Sequence, residues 1–524
     1  MNANDGKRLL HSAVLLTAAA LITKMLSIGY RIPYQNITGD IGFYIYQQVY
    51  PIHGIIVTLA MYGFPVVISK LLAEQTENRQ QLLALSFWVL LIISVLFFLL
   101  LIILSPVIAK LVGDKELTAL YRTIAFSFLF VPFISVLRGY FQAEENVFPT
   151  ALSQISEQVV RVIIIVTLAF YFMNEGFGVY AAGTGAAFGS IAGSFASVLV
   201  LVLVYMRVKG NYIGSTRLTI ERKEALNIAK RLLVQGFMIS IGALALLFFQ
   251  FIDAITVLNQ LKQYGLSPIE AKTIKGVYDR GHPLLQLGLT LATSLSLIIV
   301  PTIAKAVTGQ NKQEAQNKAG FALKVALVIS IAASLGLAII IEPTNIMLFK
   351  DTRGSSVLAI HGMTIFFGSL TLTSIAILQG LNKVNVTLRV VILGLAVKIV
   401  MNVLFIPFFG IYAAATATVI GFAVMAAHSL FIVHKELQLF SNYEFRFNRI
   451  IGAVGGMSVI VFFWKKIAQE HVFTDGRLAA TGTALSTVLL AVIIYFGFLL
   501  ANRVFTPSEF GFLKSKGKGV SREN

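Results

Sequence analysis

Apolar runs of about 20 residues recur along the whole chain between short polar loops, and this limits the possible folds more than any other feature. Inside hydrocarbon such runs must satisfy their own backbone hydrogen bonds, which leaves helices or a closed barrel. A barrel shows shorter, alternating segments, so the expectation is an all-α polytopic membrane protein. The approximate spans are 9–30, 43–69, 82–109, 118–142, 148–173, 179–206, 229–258, 281–304, 319–341, 356–381, 386–406, 411–434, 448–467 and 478–501. They make fourteen transmembrane helices, read as two parallel six-helix halves plus two C-terminal helices. Composition agrees, with 13% of residues charged, against roughly 25% in an ordinary soluble domain.

The formal net charge is +18, but the basic residues sit in short loops and not in one soluble basic domain. That distribution excludes nucleic acid and suits topology signals and anionic phospholipid headgroups. An even number of crossings puts both termini on one side, and about 25 Lys/Arg inside against about 12 outside make that side cytoplasmic. Lys7 and Arg8 before the apolar run from Ala13 to Ile22 imitate a signal peptide. The many spans that follow favour a retained first helix. The chain has no cysteine, so disulfides and thiolate metal sites are excluded.

Weak internal repetition marks the halves. Leu137-Arg138-Gly139 corresponds to Leu378-Gln379-Gly380, Glu157 to Lys398, Arg161 to Asn402, and GVYAA at Gly178 to GIYAA at Gly410. Six spans separate the copies, so the repeat is parallel. The expected organisation is an N-terminal lobe over 1–206, a basic cytoplasmic linker over 207–228, and a C-terminal lobe over 229–440. Two extra helices and a basic cytoplasmic tail follow over 441–524.

Ionisable residues inside spans are costly unless paired or facing water, so they are the functional candidates. Gln154, Glu157, Gln158 and Arg161 form a polar stripe in the fifth span, with Glu157 and Arg161 at pairing distance along a helix. Lys398 lies deep in the eleventh span with Asn402 one turn on, and needs a partner from another helix or a water-filled space. Lys24 and Arg31 sit seven residues apart near one face of the first span, Asp253 lies in the seventh, and His53 in the second. In the stretch from Gly276 to Lys305, Asp279, His282, Gln286, Thr290 and Thr293 share a helical face that lipid cannot use. A structural ion pair or a satisfied packing histidine is the alternative reading for each.

No phosphate-binding loop, HExxH pair or nucleophile elbow is present, and no large extramembrane domain could hold an active site. Neither an enzymatic activity, nor a cofactor, nor a metal site is expected. The motifs TKMLSIGYRIPY (Thr23–Tyr34), GDIGFYIYQQVYPIHGI (Gly39–Ile55) and YDRGHPLLQLGLTLATSLSLIIVPTIAK (Tyr278–Lys305) resemble those of MurJ-type lipid II flippases. The similarity extends to the stage V sporulation protein B group, within the multidrug/oligosaccharidyl-lipid/polysaccharide exporter superfamily.

That resemblance implies a flippase carrying an undecaprenyl-pyrophosphate-linked glycan, lipid II foremost, from the inner to the outer leaflet of a bacterial plasma membrane by alternating access. It implies a basic cavity in which Arg280 matches the eighth-span arginine, and Lys24 and Arg31 match the first-span pair at a spacing one residue longer. The second-span arginine has no counterpart; Ile55 stands nearest, with His53 close by. Arg161 and Lys398 join the substrate-binding candidates from the residue reading, and Asp253, Asp279 and Glu157 are candidates for ion coupling or counter-ions. Without a nucleotide site, the driving force is membrane potential, an ion gradient or consumption of product, with a coupling cation or proton as the small partner. Cell-wall synthesis machinery is a candidate protein partner. The competing expectations are export of another lipid-linked polysaccharide precursor, cation-coupled multidrug export, a membrane glycan polymerase, and a non-transporting scaffold.

Overall fold

The computed structural model describes residues 19, 22–74, 78–209, 221–293, 302–304, 306–307, 309–473, 476–506 and 509. These form helices and turns, with no strand among the described residues. In chain order the helices are α1 Arg31–Thr58, α2 Phe64–Glu74, α3 Arg79–Val112, α4 Thr118–Ala125, α5 Val131–Ala143, α6 Phe148–Asn174, α7 Val179–Lys209, α8 Arg222–Gln263 and α9 Pro268–Asp279. They continue with α10 Gly281–Thr293, α11 Lys312–Phe349, α12 Ser355–Gly362, α13 Thr364–Gly380, α14 Val384–Phe409, α15 Ile411–Leu437, α16 Phe447–Ile467 and α17 Gly476–Ala501.

Twelve described helices are long and apolar enough to cross a membrane, counting Ile22–Glu74 as one. The chain is a multi-pass, all-helical membrane protein. Most of the expected first span and residues 294–301 of the eighth lie outside the described residues, as do 210–220 of the expected linker. Beyond that gap the linker is helical, since α8 begins at Arg222.

Two expected loops are largely helical. Helix continues from the first span to residue 38 and turns at Gly39, whose φ of 70° and ψ of −172° fall in a region open essentially to glycine alone. Asp40 therefore starts the second span's helix instead of lying in a loop. Likewise the outer loop read from Asn259 to Arg280 shrinks to four residues between α8 and α9. Ser267 caps α9 in a reciprocal box with Glu270, and the Ser267 hydrogen bonds hold the Glu270 carboxyl below the usual range. Arg280 thus sits between α9 and α10, about 18 Å along the axis from the start of α9 at 1.5 Å per residue, and not at a loop end.

Packing divides the chain into two compact units, Met1–Pro283 with Val384–Gly421, and Leu284–Lys383 with Phe422–Asn524. This partition differs from the lobes drawn from the repeat, because α8, α9 and α14 pack with the first six spans. In the first unit α9 and α8 lie along α1, α14 lies along α8, and α6 pairs with α7 over most of their length. At one edge of this unit Arg231 reaches Glu74 at 2.7 Å and holds its carboxyl below the usual carboxylate range.

In the second unit α11 is the centre, packed by α13, α16 and α17. Val328, Ile340, Ile450, Val454, Met457, Val461 and Leu499 make its apolar core. Buried Lys324 on α11 pairs with Glu509 at 2.9 Å, which fastens the chain just beyond α17 to this core.

The closest approach in the first unit is at Gly276 on α9, where an added Cβ would stand 2.0 Å from the Asp40 carbonyl oxygen. Backbone cannot rotate away as a side chain can. Gly276→Ala should therefore cost about 1–3 kcal/mol of stability, read as a lower melting temperature of the purified protein. Gly336→Ala on α11, where nothing lies within 4 Å, should be neutral or slightly stabilising. Equal melting of the two variants would overturn this contact.

Candidate functional site

The chemistry of the first unit lies in its buried charges. On α8, Asp253 is reached by three side chains from two other helices. Lys398 of α14 approaches its Oδ1 at 2.7 Å, Asn402 donates to the same oxygen at 2.9 Å, and the Tyr278 hydroxyl donates to Oδ2 at 2.7 Å. Lys398 also donates to Thr418 Oγ1 at 2.7 Å and to the Ala414 carbonyl at 2.9 Å, both on α15. A fully buried ammonium thus has three oxygen acceptors, and the partner from another helix that its burial demanded is Asp253.

Around α9 the pairing is equally complete. Arg280 donates from Nε and Nη2 to Asp40 Oδ1 at 2.9 and 2.6 Å, and Gln35 donates to the same oxygen at 2.9 Å. Asp279 is not the partner of Arg280. It takes Lys275 at 2.8 Å, one turn earlier, and His282 Nε2 at 3.4 Å. Gln48, with its amide turned so that nitrogen donates to the Ala254 carbonyl, accepts from Lys275 at 3.1 Å. At the start of α9, Lys272 meets Asp114 at 2.9 Å, and Asp114 also accepts from Tyr44 and Tyr180. Asn259 and Lys262 of α8 close the end of α3 by donating to the Leu111 and Gly113 carbonyls at 2.6 and 2.7 Å.

Within the first six spans, Glu157 accepts from Arg161 on its own helix at 2.5 Å and from Arg138 of α5 at 3.2 Å. Arg138 donates further to Ser153 at 3.2 Å and to Ser197 at 3.0 Å. His53 is buried, and neither ring nitrogen has a hydrogen-bond partner among the described residues.

Arg31 differs from all of these. It is 0% exposed, and no described carboxylate or carbonyl accepts from its guanidinium. Its central carbon lies 3.9 Å from the ring centroid of Tyr50, and Tyr30 and Tyr46 stand close by. Cation–π contact lowers the cost of such burial without cancelling the charge. Lys24, seven residues earlier, is exposed.

The expected residues therefore fall into three groups. Arg280, Lys398 and Arg161 are buried and neutralised by Asp40, Asp253 and Glu157. Asp279 belongs to Lys275. Of the expected cations, Arg31 is the one that is buried with no described carboxylate beside it. Sequence reading missed Asp40, Asp114, Lys272 and Lys275, which it placed in loops, and Arg138, which it noted only as part of a repeat. An arginine within the apolar run 118–142 was the available signal.

Among the described buried charges of this unit, with Lys272, seven cations face five carboxylates. The surplus of two consists of Arg31 and one charge of the Arg138–Glu157–Arg161 cluster. The surplus charge of these described residues is positive, and each of their carboxylates is paired with a cation.

Comparison with known proteins follows the same line. The chain is 37% identical over 95% of its length to an uncharacterised membrane protein, YabM, of Bacillus subtilis (strain 168), of which it covers 93%. It is 23% identical to the lipid II flippase MurJ of the same organism, over 94% of this chain and 95% of that one. Among solved structures, lipid II flippase MurJ in an inward closed conformation matches with a TM-score of 0.68 at 14% identity, over 94% of this chain and 99% of that one. At that identity the likeness is one of fold. Residues 9–307 match the family model described as polysaccharide biosynthesis protein, and with the relatives above this shows that the chain belongs to that family.

Proposed function

We propose that this protein is a flippase for an undecaprenyl-pyrophosphate-linked glycan, lipid II foremost, moving the headgroup from the cytoplasmic to the outer leaflet of a bacterial plasma membrane. The observation that carries the reading is Arg31: a buried guanidinium without a carboxylate, among phenol groups, in a chain related along its length to a lipid II flippase. A pyrophosphate carries the charge that Arg31 lacks, and cannot cross hydrocarbon without such compensation.

Arg280 enters by exchange. In the closed packing of α9 on α1 its guanidinium is taken by Asp40. When α9 leaves α1 the pair breaks, and a phosphate oxygen replaces the carboxylate. Asp40 is then a stand-in for the substrate, which keeps Arg280 neutralised when the site is empty. Asp253 is held by Lys398 in the same closed packing, so coupling to an ion at that carboxylate requires the ammonium to move away. Export of cationic drugs is disfavoured, because the uncompensated charges have the wrong sign.

The test is genetic. In a bacterium depleted of its lipid II flippases, expression of this chain should restore growth and outer-leaflet lipid II. No rescue by a protein confirmed in the membrane would overturn lipid II and turn attention to another lipid-linked glycan. Arg31→Ala should lower the transport rate by about ten- to a hundredfold, the worth of a charge-assisted contact of about 1.5–3 kcal/mol. Arg31→Lys should recover only part, since a point charge cannot grip two phosphate oxygens at once. Exchanging the pair, as Asp40→Arg with Arg280→Asp, should restore melting temperature relative to Arg280→Ala but not transport. If the exchange also restores transport, Arg280 is a structural partner only.

A further inference from the structure

The second uncompensated charge lies away from Arg31, inside the bundle of α1, α5, α6 and α7. Glu157 is shared by two guanidinium groups, and the sharing is unequal: Arg161 at 2.5 Å and Arg138 at 3.2 Å. The other bonds of Arg138, to Ser153 and Ser197, go to neutral hydroxyl groups. The surplus positive charge therefore rests on Arg138, which is 1% exposed.

Arg138 also borders a small cavity. Its polar lining is Arg138, Glu157, Ser127 and Ser194, and the rest is apolar, including Ile56 and Val131. Ser127 is 1% exposed, and its hydroxyl has no hydrogen-bond partner among the described residues. Ser194 uses its proton on the Ser190 carbonyl at 3.1 Å. The cavity thus holds a guanidinium with charge to spare and an O–H donor with nothing to donate to. Both oxygens of the one carboxylate at its wall are already engaged by arginine.

We propose that this cavity is the seat of a resident monovalent anion of halide size, held by Arg138 and Ser127. A single negative charge balances the surplus, whereas a divalent anion would leave one charge buried and unpaired. The apolar wall selects an ion that sheds its water readily. This anion is separate from the glycan substrate, and its role is to let α5, α6 and α7 pack around a neutral interior.

The experiment is thermal melting of the purified full-length protein with chloride replaced by gluconate at constant ionic strength and constant cation. Chloride and bromide should raise the melting temperature in a saturable way by several degrees, and gluconate and sulfate should not. Ser127→Ala should raise the halide midpoint several-fold, and Arg138→Gln, which leaves Arg161 and Glu157 as a balanced pair, should abolish the halide effect. Should Arg138→Gln fail to fold, the Ser127→Ala midpoint decides. Arg31→Gln should keep the halide effect intact, which places the ion at Arg138 and not at the proposed glycan site. Equal melting in chloride and gluconate, an unchanged midpoint in Ser127→Ala, or loss of the effect in Arg31→Gln would each overturn the proposal.

Discussion

The contact of Arg280 with Asp40 ties α9 to the turn at Gly39, and the Lys275–Asp279 pair lies beside it on α9. Desolvating a guanidinium and a carboxylate costs several kcal/mol for each ion, and only close geometry with further hydrogen bonds recovers that cost. Both conditions hold here, with two nitrogens of Arg280 and the Gln35 amide converging on one oxygen. The close backbone approach at Gly276 brings the pair together, since any larger residue there would strike the Asp40 carbonyl.

Charge balance explains why such a polar interior tolerates burial. Asp40, Asp114, Asp253 and Asp279 each meet a cation from a different stretch of chain or the next helical turn, and this part of the unit is neutral. A neutral, hydrogen-bonded interior can stay closed without water. Any opening that separates α9 from α1 must supply replacement partners, and the anionic headgroup of the proposed substrate would supply them for the cations. For the flippase proposed above, the energetic step of transport would then be an exchange of counter-ions, which is cheaper than baring charges to hydrocarbon.

Positions paired by the weak sequence repeat are used in opposite sense. Glu157 on α6 is a carboxylate met by two arginines, and its counterpart Lys398 on α14 is an ammonium met by Asp253. Arg161 and its counterpart Asn402 both donate to the carboxylate of their own cluster. The positions paired by the sequence repeat thus carry polar contacts of opposite charge, and the small cavity borders the cluster with the surplus arginine.

Apolar run length and charge content determined the helical, membrane-crossing fold, because hydrocarbon admits few alternatives for an unpaired backbone. Lys398, Glu157 and Arg161 were legible as important for the same reason: a charge inside an apolar run stands out against its neighbours. The spacing of Glu157 and Arg161 even specified their pairing. Only tertiary structure decided the other pairs, since Arg280 finds its carboxylate 240 residues away and Lys398 finds one on a helix read as an independent span. Asp40 and Lys275 looked like loop residues because their burial comes from α9 extending beyond its apolar run and lying along α1, and half-buried Lys272 lies on the same extension. Whether a buried charge is free to meet a substrate depends on what the neighbouring helix presents to it, and that information is absent from local sequence.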